Sequence, residues 1–175
     1  MLALIGTYPQ DDFPLTVGAV ETRGNDLWVG DRIVDVNRGT PALLAAACRT
    51  LEFFDSPPAK AFLVGDTGRG AGSRRLYEHL AEKLAEYKPQ TIVFHYLQPD
   101  VDWHNKVVFA AEDLHPRPLL IADAGFMYAA KMSGMARHYD LFTPDVGELA
   151  FLADETAPHP FYTRGFILHE EERAE

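Results

Sequence analysis

Cys48 is the only cysteine in this 175-residue chain, which excludes an internal disulfide and points to a cytosolic setting. It stands in an apolar helical pattern, the surroundings of a buried, inert thiol rather than a nucleophile. Basic residues are also scarce, 16 Lys and Arg against 26 Asp and Glu, for a formal net charge of -10. The one basic pair, Arg74-Arg75, is too short to make a patch, which argues against nucleic acid or an anionic membrane surface as a partner. No apolar run approaches the ~20 residues of a membrane span; the longest, 119–130, contains Asp123. Residues 1–6 lack the basic region of a signal peptide. Repeats and low-complexity linkers are missing too. What remains is an ordinary globular composition, 47% hydrophobic and 24% charged, and a length that suits one domain over 1–175.

The most informative stretch is 118–154, which reads as strand, turn, helix, strand, turn, helix. Strands at 119–122 and 139–142 end at Asp123 and at Thr143-Pro144, with helices expected over 126–135 and from Asp145 onward. Upstream, the pattern places a strand at 2–6 and a β-hairpin flap over 16–36 that turns at Arg23-Gly24-Asn25-Asp26. A helix is expected over 41–54 with Thr40 as its N-cap and Pro41 in its first turn. A strand at 61–64 leads through a glycine-rich loop to a helix over 74–87, where Leu76, Leu80 and Leu84 mark the buried face. A strand at 91–96 and a helix over 103–114 follow, and the acidic ending, 169–175, resembles a helix start. Alternation of this kind predicts a three-layer α/β fold with a mainly parallel sheet and helices on both faces. Ligands in such sheets bind outside the carboxyl ends of the strands.

That rule selects the candidate residues. The loop Gly65-Asp66-Thr67-Gly68-Arg69-Gly70-Ala71-Gly72-Ser73 stands between strand and helix, where backbone N–H groups hold anions, although it matches neither the Walker loop nor G-x-G-x-x-G. Asp145 and Glu148 read either as a capping box or as carboxylates near magnesium, which takes one or two such ligands. Asp123 is a candidate base or partner for a substrate hydroxyl, or a helix cap. Asp35 and Asn37 could hold a polyol, or simply form a turn. Asp100-Val101-Asp102-Trp103-His104 reads as a solvated loop, and no zinc site is expected.

Several segments together resemble the ribokinase-like superfamily of sugar and vitamin kinases, which includes the ADP- or ATP-dependent NAD(P)H-hydrate dehydratases. Gly39-Thr40-Pro41 and the alanine-rich helix after it are similar to the family's helix start near the substrate. Val64-Gly65-Asp66, Leu120-Ile121-Ala122-Asp123-Ala124 and Phe142-Thr143-Pro144-Asp145-Val146-Gly147-Glu148 resemble three further family segments. The match runs in order over roughly 30–154. Asp145 departs from the family's usual Asn or His. The family's Gly-Ala-Gly-Asp segment, which carries its catalytic Asp, is missing, so the expectation is the front part of a longer fold and no catalytic residue is named.

The resemblance implies ATP or ADP and magnesium as cofactors. It places Asp35, Asn37, Gly39, Asp66 and Asp123 at a small-molecule substrate. Gly65, Gly68, Gly70, Gly72 and Thr143 fall near nucleotide or phosphate, and Asp145 and Glu148 near the metal. The function expected is a sugar or small-alcohol kinase or a nucleotide-dependent NAD(P)H-hydrate dehydratase; the alternative is a non-catalytic nucleotide- or sugar-binding protein. Homo-oligomerisation stays open.

Overall fold

Two apolar runs, LALIGTY and KAFLVG, form the centre of the molecule. They are β1 (Leu2–Tyr8) and β5 (Lys60–Gly65), which pair in parallel from Ala3↔Lys60 to Tyr8↔Gly65. The computed structural model describes residues 1–154; the helix start read at 169–175 lies outside them. Alternate residues of both strands face opposite sides: Ala3, Ile5, Phe62 and Val64 enter one core, Leu4, Ala61 and Leu63 the other. Burial on both faces explains why the two strands read as continuous apolar runs rather than alternating ones.

The remaining strands are β2 (Thr16–Arg23), β3 (Asp26–Val29), β4 (Arg32–Val34), β6 (Thr91–Phe94), β7 (Leu119–Ala122) and β8 (Leu141–Phe142). Among the described residues the sheet has eight strands in the order β4-β3-β2-β5-β1-β6-β7-β8. The five from β5 to β8 are mutually parallel. Segment 16–36 corrects the expected flap: it is a three-strand antiparallel meander, and β2 continues it into the main sheet by pairing with β5 from Thr16↔Leu63 to Ala19↔Lys60.

Helix α1 (Thr40–Phe53) covers one face through Leu44 and Cys48. Helices α2 (Ala71–Tyr87) and α3 (Val101–Glu112) cover the other, where Leu76, Leu80 and Leu84 are fully buried as their spacing implies. Helices α4 (Gly125–Met132) and α5 (Val146–Ala153) complete the order. The molecule is therefore a three-layer α/β fold, as its alternation of elements dictates. No helix of the described residues is long and apolar enough to cross a membrane.

Local chemistry moves several boundaries. Gly39, at φ 65°, is the residue that caps α1, so Thr40 is already inside the helix. The polar run 100–104 is no loop: the Asp100 side chain accepts from the Trp103 N–H at 3.2 Å and starts α3. His104 is then wholly buried, with Nε2 2.8 Å from the Tyr139 hydroxyl. The expected strand at 139–142 shrinks to two residues behind a 3₁₀ turn, Ala136–His138.

Candidate functional site

Parallel strands put their carboxyl ends on one edge, so the residues that follow β1, β5, β6, β7 and β8 gather there. His95 follows β6, and its backbone N–H donates to the Ile5 carbonyl of β1. Helix α1 begins over the same edge. Thr40 is 2% exposed, and its Oγ1 lies 2.9 Å from His95 Nδ1. Gly6 makes that approach possible, because a Cβ there would come within 2.5 Å of Thr40 Oγ1. On the other side of the ring, His95 Nε2 is 3.8 Å from Asp123 Oδ2. Burial pushes the His95 imidazole below its ordinary pKa, with the Asp123 carboxylate pulling the other way.

Asp123 is locked in place just past β7. Its N–H donates to the Phe94 carbonyl at 2.8 Å, and its Oδ1 accepts from the Ala124 N–H at 2.9 Å. Ala124 sits at φ 49°, ψ -136°, a conformation that costs a side-chain-bearing residue on the order of 1–3 kcal/mol. That strain lies immediately beside the carboxylate. Glu148 and Tyr128 approach the same cluster. Burial raises the Glu148 pKa; the Asp145 N–H bond opposes it, and the Asp145 and Asp123 carboxylates add to it. Tyr128 is pushed up to about 12 by burial and by Glu148, Asp145 and Tyr96.

The exposed loop 35–39 reaches this edge too. Its far end is the cap of α1, and the Tyr8 hydroxyl at the end of β1 donates to Asp35 Oδ2 at 3.4 Å. Asp35 and Asn37 lie beyond β4, so no strand pleat aligns them on one face. Both are exposed and turned to solvent-accessible surface.

The glycine loop takes a different part from the one expected. Asp66 is 7% exposed, and its carboxylate accepts from the N–H groups of Gly68, Arg69, Gly70 and Ser73 and from Ser73 Oγ, at 2.8 to 3.0 Å. Burial alone would raise the Asp66 pKa, yet these bonds hold it below the carboxylate norm. The protein thus supplies its own anion to the loop amides. Gly65 and Gly72 serve close packing: a Cβ on Gly65 would fall 2.0 Å from the Gln10 carbonyl oxygen, and one on Gly72 1.9 Å from the Gly65 carbonyl oxygen. Gly68 and Gly70 line a groove of about 480 Å³ with Arg69, Arg74 and Gln98. The residues lining that groove do not include Asp123 or His95.

Asp145 and Glu148 form the capping box of α5. Asp145 Oδ1 accepts from the Glu148 N–H and Glu148 Oε2 from the Asp145 N–H, both at 2.8 Å. Asp145 Oδ2 and Glu148 Oε1 stay outside the box. The Asp145 and Asp123 carboxylates help to raise the Glu148 pKa, and a cation beside Glu148 would offset that repulsion. Magnesium, which takes one or two carboxylates, is the ion such a donor set could hold. No cluster of three or more metal-binding side chains occurs among the described residues. Thr143 is exposed, and its N–H donates to the Ala122 carbonyl at 3.3 Å, which fixes the chain past β8.

Fold and edge together define a three-layer α/β protein whose carboxylates gather outside the carboxyl ends of its parallel strands. An uncharacterized protein of Methanocaldococcus jannaschii is 42% identical over 125 residues, which cover 71% of this chain and 49% of that protein. The chain thus spans about half the length of the curated relative it matches. No family model matches, and no solved structure does. Sequence reasoning had missed His95 and the contact of Thr40 with it. The signal was present, since His95 directly follows an apolar strand.

Proposed function

We propose that the protein is a ribokinase-like enzyme that uses ATP or ADP on a small hydroxyl-bearing molecule, either as a phosphotransferase or as an NAD(P)H-hydrate dehydratase. One observation carries the reading. Three segments that resemble the family at separate points in the sequence, the start of α1, the end of β7 and the start of α5, converge on one sheet edge through Thr40–His95–Asp123 and the Asp123–Glu148 neighbourhood. Convergence of this kind is what a substrate site at the carboxyl edge of a parallel sheet requires.

In phosphoryl transfer the protein mainly positions groups and offsets charge. Asp123 and Asp35 would accept hydrogen bonds from substrate hydroxyls, with Asn37 and Gly39 beside them. Asp145 and Glu148 would hold magnesium, whose charge neutralises phosphate oxygens. In the groove beside Gly68 and Gly70, Arg69 and Arg74, which pair with Asp11 and Asp100, would have to exchange those carboxylates for an anionic ligand. Assays of ADP release with a panel of sugars and vitamin alcohols, beside a hydrated-NADH assay, test this on the full-length protein. Release dependent on one hydroxyl substrate supports the kinase, and loss of hydrated NADH supports the dehydratase. Neither activity in the presence of magnesium would overturn both.

A second reading has its own support. The amides of the glycine loop are engaged by Asp66, and one oxygen of each α5 carboxylate is engaged by the cap. Those facts suit a non-catalytic sugar- or nucleotide-binding protein, which would show tight binding without turnover.

A further inference from the structure

We infer that His95 and Asp123 form a two-point reader for one hydroxyl group of the ligand, and that Thr40 sets the imidazole tautomer that makes the reader work. The inference deepens the proposed site and rests on that reading for its location. The separation of 3.8 Å between His95 Nε2 and Asp123 Oδ2 is too long for a direct hydrogen bond. An oxygen placed beside the line between them can lie about 2.8 Å from each atom, a normal hydrogen-bond distance. A hydroxyl oxygen there accepts from Nε2–H and donates its own proton to the carboxylate. A carbonyl or ether oxygen can only accept, and an ammonium can only donate, so neither satisfies both sides.

The donor at Nε2 requires that Nδ1 carry no proton. Thr40 provides for this. Its hydroxyl lies 2.9 Å from Nδ1, and either atom could donate. The Asp123 carboxylate beside Nε2 favours the proton there, which leaves Nδ1 to accept from the Thr40 hydroxyl, and the partner of one ring nitrogen fixes the state of the other. The arrangement is built from three distant parts of the chain. Gly6 gives Thr40 its place, the Ile5 carbonyl anchors the His95 backbone, and Phe94 and Ala124 fix Asp123. Burial pushes the imidazole below its ordinary pKa against the pull of Asp123, and His95 is 9% exposed.

The test is ¹⁵N NMR of the histidine rings in the full-length protein, free and titrated with D-ribose, glycerol and pyridoxine, each beside an analogue in which a single hydroxyl is replaced by hydrogen. The expected result is a neutral His95 protonated at Nε2, whose Nε2 signal shifts with at least one of the hydroxyl compounds. Removal of one hydroxyl should weaken that binding about tenfold or more, since a polar site rejects a ligand that leaves its groups unpaired. Thr40→Val should turn part of the population to the Nδ1–H tautomer and weaken the hydroxyl compound while sparing its deoxy analogue. Thr40→Ser should restore both readouts, which a purely structural role of the Thr40 methyl would not allow. A His95 protonated at Nδ1 in the free protein, or a ring unmoved by all three compounds, would overturn the inference. Ring shifts without any nucleotide turnover would leave the reader standing and remove the enzyme reading, so the two can fail separately.

Discussion

His104 shows how one buried side chain sets a pH limit. Burial is the main cause that lowers its pKa from 6.5 to about 4, opposed by the Asn105 bond and aided by the His138 charge. The unfolded chain takes up a proton as pH falls through 6.5, whereas the folded chain does so only near 4. Its contribution is therefore complete above pH 6.5 and declines by roughly 3 kcal/mol as pH approaches 4. Urea unfolding at pH 7.0 and 4.5 should show a smaller pH difference for His104→Gln than for the unaltered protein; equal differences would show that His104 does not titrate in this way. Asp66 is a second such residue. Asp66→Ala leaves the buried Ser73 N–H and hydroxyl and the part-buried N–H groups of Gly68, Arg69 and Gly70 without their acceptor. A buried donor left unpaired costs about 1–3 kcal/mol. A loss of about 3 kcal/mol or more is expected in denaturant unfolding, and Asp66→Asn, which keeps one acceptor, should lose less.

At the scale of elements, close approach between α2 and the end of β5 depends on glycine. With a Cβ at Gly72 within 1.9 Å of the Gly65 carbonyl oxygen, Gly72→Ala should force α2 off the sheet and cost about 1–3 kcal/mol or more, as overpacking does. Ala124 offers the opposite case. Ala124→Gly relieves the strained backbone ahead of α4 and should raise the unfolding midpoint, by up to about 1 kcal/mol; an unchanged or lower midpoint would contradict the strain. Much at this scale was legible. Leu76, Leu80 and Leu84 repeat at helical spacing, and β1 and β5 are apolar throughout because both of their faces are covered. The polar run 100–104 was misread because an N-cap Asp and an acidic first turn look like a solvated loop. His104 is buried by Tyr139 and Ser133, 35 and 29 residues away, and local pattern carries no trace of such partners. The role of Gly65 was hidden for the same reason, since it is set by the chain crossing at Gln10 and Phe13.

For the whole molecule, the parallel order of five strands turns separate segments of sequence into one edge. Asp66, Asp123 and Thr143 all follow strands at this edge, but position past a strand end cannot tell a ligand from a structural group. Asp66 belongs to its own loop, whereas Asp123 faces His95 and Glu148. The edge is therefore best probed at Asp123. The decisive measurement is binding and turnover of the best hydroxyl compound, with ATP or ADP and magnesium, by the full-length protein and by Asp123→Asn, with unfolding midpoints measured alongside. If the edge is the substrate site, Asp123→Asn should lower kcat/KM about a hundredfold, the scale of removing one positioned acid–base group, while the unfolding midpoint stays within about 1 kcal/mol. Unchanged kcat/KM in a stably folded Asp123→Asn protein would place the chemistry elsewhere.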